Sequence, residues 1–154
     1  MFRSTFTAPR FLGIAALLFT LSFSTFASTN PTDPKDRNAQ AAKYVALKLQ
    51  IWQDRMNLKD WDIRFEMVRS DRLEPKTLGN IHWDTDVKTA KILVLAPQDY
   101  KLPYQAMLDD MEFTVVHELV HLELASLPRS DASRRTEERA VNEIASALLR
   151  LARR

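Results

Sequence analysis

His117-Glu118-Leu119-Val120-His121 sets two imidazoles four residues apart, on one face of a helix, where both can grip a single divalent metal. The glutamate between them then faces the water that such a metal holds. In this H-E-x-x-H spacing the histidines act as ligands and the carboxylate as general base for hydrolysis. The chain has only three histidines, so two of them in this register concentrate the signal.

The flanks are those of a helix. From Asp109 to Leu127 there is neither glycine nor proline, and Asp109 and Asp110 open the run where a helix dipole favours negative charge. Met111, Val115, Leu119, Leu122 and Ala125 recur at steps of three or four, and Val116, Val120 and Leu124 widen the apolar surface, which predicts a mostly buried helix. Unpartnered polar side chains there would cost roughly 2–7 kcal/mol each, a penalty that a bound metal removes.

Catalytic zinc takes three protein donors and leaves one position for water. An extended pattern with glycine at 124 and histidine at 127 is closed, because both positions are leucine. Glu123 projects from the wrong side of the helix, and His82 lies far upstream in a predicted strand. The next helix, predicted over Thr136–Arg154, buries Val141, Ile144, Ala145, Leu148, Leu149 and Ala152. Glu137 and Glu138 flank that stripe one turn ahead of Val141, and periodicity does not choose between them. Either also suits a solvated first turn capped by Thr136 or Ser133.

The run from His117 to His121, followed by Glu138-Arg139-Ala140-Val141-Asn142, resembles the gluzincins, zinc peptidases whose third ligand is a glutamate on the helix after the H-E-x-x-H helix. It is closest to their small single-domain members of the ImmA/IrrE kind. The resemblance covers roughly residues 111 to 149 and departs from the pattern at Val141, where those relatives usually carry alanine. It implies that His117, His121 and Glu138 bind Zn2+, that Glu118 is the general base, and that Asn142 orients a zinc histidine from outside the ligand set. No motif for a second catalytic residue accompanies it. Tyr100, Tyr104, His82 and Arg134 are the candidate donors to a developing oxyanion.

Arg3 and Arg10 precede an apolar stretch from Phe11 to Phe26, and Thr25-Phe26-Ala27 offers small residues at a cleavage position, so residues 1–27 read as a secretory signal. The stretch falls short of the ~20 apolar residues that span a bilayer, which makes an uncleaved N-terminal anchor the second reading. The expected location is the periplasm or the exterior. The signal holds two of the 22 basic and none of the 20 acidic residues, so the remaining chain is electrically balanced. A nucleic-acid partner, which would want a basic face, is not expected. No cysteine is present, which excludes disulfides, a cysteine nucleophile and cysteine-based zinc sites.

Residues 28–38 are polar and proline-bearing and read as a tether, leaving 39–154 as one domain. A helix is predicted from about Ala39 to Asn57, with Ala42, Val45, Leu49, Trp52 and Met56 inward. Strands are predicted at Trp61–Met67, where apolar and charged residues alternate, at Gly79–Asp84 and at Lys91–Ala96. Pro97–Met107 reads as a loop. The expected fold is α+β: a minimal zincin-like domain with an N-terminal helix, a sheet of about three strands, the H-E-x-x-H helix and a C-terminal ligand helix. The expected activity is zinc-dependent hydrolysis of a protein or peptide substrate. A regulatory or scaffold protein that binds zinc and cleaves nothing is the alternative, and an interaction module with an accidental motif is the third reading.

Overall fold

The computed structural model describes residues 33–128 and 130–154. The expected signal and the first five residues of the expected tether lie outside them. The architecture is α+β, with helices α1 (Pro34–Arg55), α2 (Tyr104–Glu123) and α3 (Asp131–Ala152) and strands β1 (Asp62–Val68), β2 (Gly79–Asp84) and β3 (Thr89–Leu95). None of the described helices is long and apolar enough to cross a membrane.

Helix α1 starts five residues before the predicted Ala39. Asp33 caps it, accepting the Lys35 N–H at 2.7 Å, and Pro34 enters the first turn, where its missing N–H costs nothing. Helix α2 likewise begins at Tyr104, inside the predicted loop, because Pro103 ends the preceding extended chain. Asp109 and Asp110 therefore sit in its second turn, and Asp110 is partly buried beneath Tyr100 rather than answering the dipole. Helix α3 begins at Asp131, five residues earlier than expected.

The sheet order is β1-β3-β2. β1 runs parallel to β3 with Phe65 opposite Ile92, and β2 runs antiparallel to β3 with Ile81 opposite Ile92. One sheet face packs on α2 and α1 through Ile81, Ile92 and Val94 against Val115, Leu119 and Val45. The other carries Val68, Leu93 and Leu95 beneath Leu73 of the β1–β2 connection. On α3 the buried residues are Val141, Ala145 and Leu149; Ile144, expected inward, is 42% exposed. Helix α2 is thus enclosed by α1, α3 and the sheet, as its uninterrupted apolar sequence requires.

Glu112 ties this enclosure together. Its carboxylate is buried and accepts from Trp52 Nε1 at 2.9 Å and Tyr44 Oη at 3.0 Å, and pairs with Lys48 Nζ at 3.0 Å, all three from α1. Burial pushes its pKa up, but the Trp52, Lys48 and Tyr44 hydrogen bonds outweigh this and hold it below the ordinary 4.5. A depressed folded value means that the stabilisation is complete above the unfolded pKa and is lost as pH falls through the folded one. Glu112→Gln is expected to lower stability at pH 7 by about 1–3 kcal/mol, the usual loss for a buried hydrogen-bonded group. Urea melts at pH 7 and pH 4 should show a smaller acid-induced loss in the variant than in the wild type.

Candidate metal centre

His117 and His121 lie in the last two turns of α2, which Leu124 caps, and the chain returns as α3 packed against it. One helical turn apart, the two imidazoles bring their Nε2 atoms to 3.1 Å. Glu138 on α3 reaches the same point, with one carboxylate oxygen 3.3 Å from His121 Nε2 and the other 3.5 Å from His117 Nε2.

The other ring nitrogens fix the protons. His121 Nδ1 lies 3.1 Å from Glu137 Oε1. An ionised carboxylate only accepts, so Nδ1 carries the proton and donates it. His117 Nδ1 lies 3.2 Å from Asn142 Oδ1 and in the same way donates to it. Burial, reinforced by the neighbouring His121, pulls the His117 pKa below the ordinary imidazole value and keeps that ring neutral. In its neutral form His117 turns an Nε2 lone pair toward His121 Nε2 and the Glu138 carboxylate. A divalent cation placed among these groups would be ligated by both ring nitrogens and the carboxylate. The Nε2 atoms are 3.1 Å apart, and each lies 3.3 or 3.5 Å from a different oxygen of Glu138, close enough for the three side chains to share one ion. The donor set of two imidazoles and a carboxylate suits zinc.

Glu118 is 5% exposed, and one of its oxygens lies within 4.8 Å of a ring nitrogen of each histidine, within reach of an ion held by them or of a water on that ion. Burial, and then the nearby Glu138 charge, pushes its pKa up to about 8.

The centre opens into a cleft of about 700 Å3. Phe113, Thr114 and the motif residues form its floor, and Arg134, Glu138 and Asn142 of α3 form one wall. Gly79, Ile81 and Trp83 of β2 form the other. Of the four candidate oxyanion donors, only Arg134 lines the cleft, with its guanidinium 3.7 Å from Glu74 of the β1–β2 connection. His82 is exposed on the opposite face of β2 from Gly79, Ile81 and Trp83, because side chains alternate along a strand. Tyr100 is packed against the core, with its hydroxyl pKa raised by burial, and the Tyr104 hydroxyl reaches Gln40 at 3.4 Å.

Sequence reasoning left Glu137 as either a rival ligand or a solvated acid. It lies in the second turn of α3 and holds the Nδ1 proton of His121. Adjacent residues on a helix diverge by about 100°, which lets Glu138 face the metal position while Glu137 reaches behind the second imidazole. Two neighbouring acids on a helix edge were the visible signal, and their division of roles was not.

Compared with protein-family models, curated proteins and solved structures, the chain matches none.

Purified protein is expected to bind one zinc per chain, measured by elemental and native mass spectrometry, and to melt at a lower temperature after chelation. His117→Ala and His121→Ala should abolish binding. Asn142→Ala and Glu137→Ala should weaken it about 10–100-fold, as loss of a ligand's orienting partner does. Full loss on Glu137→Ala, with affinity retained in Glu138→Ala, would transfer the third ligand to Glu137.

Proposed function

We propose that this protein is a zinc-dependent metallopeptidase of gluzincin type on a minimal zincin-like scaffold, cleaving protein or peptide substrates outside the cytoplasm. The observation that carries the reading is the convergence of His117, His121 and Glu138, with the buried Glu118 carboxylate beside them. The exported location rests on the N-terminal sequence.

Zinc, when bound, supplies a Lewis acid and brings the pKa of a coordinated water to about 7. Glu118 takes the proton of the attacking water and delivers it to the leaving amine. Its hydrophobic surroundings keep its affinity for that proton high. Glu137 and Asn142 hold both imidazoles in the tautomer that leaves Nε2 unprotonated. Arg134 is the one candidate donor positioned to meet negative charge developing on the substrate.

A polypeptide substrate is supported by β2. Leu95 N–H bonds to Leu78 O, and in this antiparallel register the bonded pairs are Asn80–Leu93 and His82–Lys91. The N–H and C=O of Gly79 and Ile81 then point off the sheet edge into the cleft, where an extended chain can pair with them.

Glu118→Gln is expected to keep zinc affinity and to lower hydrolysis of unfolded protein by at least about 100-fold, a typical general-base contribution. Retained zinc with unchanged hydrolysis would remove Glu118 from the chemistry. Zinc binding with no hydrolysis by the wild type across a broad peptide library would favour a scaffold role.

A further inference from the structure

Gly79 is the only glycine among the described residues, and its backbone does not explain it. Its φ is not positive, so no left-handed conformation excludes a side chain. Within a strand, a glycine forfeits packing and costs chain entropy, and it marks a place where something approaches closely. Here the approaching side chains are Thr114 and Glu118, both from α2. A Cβ at residue 79 would lie 2.9 Å from Glu118 Oε1, 2.4 Å from Thr114 Cγ2 and 3.0 Å from the Leu93 carbonyl oxygen. Thr114 is itself fixed one turn before Glu118, with its hydroxyl donating to Asp110 O at 3.0 Å.

We propose that Gly79 is a positioning residue for the general base: the missing side chain leaves a notch in β2 in which the Glu118 carboxylate is seated. The assignment rests on the peptidase reading for its functional consequence, while the contact stands on geometry. Glu118 is almost wholly buried, so a methyl group at 79 displaces the carboxylate relative to the water it must deprotonate. A misplacement of about 1 Å in such a group costs on the order of 100-fold in rate. None of the three proposed ligand side chains supplies the atoms nearest the notch, so metal affinity is expected to be preserved.

The two clashes are separable. Thr114→Ser removes Cγ2 and keeps the hydroxyl on Asp110, so Gly79→Ala combined with Thr114→Ser leaves the carboxylate as the principal side-chain obstacle. The test compares zinc-loaded protein carrying Thr114→Ser, alone and with Gly79→Ala, each with Glu118 present and with Glu118→Ala. With Glu118 present, Gly79→Ala is expected to lower the melting temperature by a few degrees and kcat on unfolded protein by about 10–100-fold, with KM and zinc content unchanged. With Glu118→Ala, the melting-temperature loss should largely disappear. An equal loss in both backgrounds, or an unchanged kcat with Glu118 present, overturns the proposal. Wild-type protein without turnover defeats the peptidase reading, and the melting-temperature comparison then still decides whether Gly79 seats Glu118.

Discussion

The imidazoles of His117 and His121 bring their Nε2 atoms to 3.1 Å, with the two oxygens of the Glu138 carboxylate at 3.3 and 3.5 Å, and the site depends on this meeting of three polar side chains from two helices. Glu137 and Asn142 reach the far nitrogens of the two rings from α3. Under the proposed reading a divalent cation would be held by His117, His121 and Glu138 together. The fold keeps these three side chains directed at one another.

Helix α2 carries two of the three and is held from two sides. It is clamped on its α1 side by Glu112, whose buried carboxylate gathers Tyr44, Lys48 and Trp52, and on its sheet side by Val115 and Leu119 packed among Ile81, Ile92 and Val94. Six residues separate Glu112 from Glu118, which turns them to different faces of the helix. One carboxylate is saturated with donors and held ionised; the other is placed among apolar groups and a neighbouring anion, and its pKa rises to about 8. The same side chain is thus held ionised in one place and pushed toward its protonated form in the other, and the surroundings set the difference.

Much of this was legible in the sequence. The apolar spacing from Met111 to Leu122 announced a buried helix, the alternation from Trp61 to Met67 announced β1, and β2 falls on Gly79–Asp84 as expected. Helix starts were harder. Asp33 before Pro34 is a capping signal, but it was absorbed into a polar stretch that read as tether, and the pair Asp109-Asp110 resembled a helix start more than Pro103-Tyr104 did. At the site, spacing joined His117, Glu118 and His121, whereas choosing Glu138 over Glu137 needed a resemblance, because both flank the same stripe. Nothing local signals that Gly79 abuts Glu118 or that His82 faces away from the cleft. Those facts depend on sheet register and on how α2 packs against β2, which are set by contacts distant in sequence.

The account is tested most directly by X-ray absorption at the zinc edge of the stoichiometrically loaded protein. It predicts a first shell of two imidazole nitrogens and carboxylate and water oxygens at about 2.0–2.2 Å. The imidazole contribution should fall by half in a variant lacking His121 that has been forced to load with excess zinc. A shell of oxygen donors alone, or a spectrum indifferent to that substitution, would contradict it.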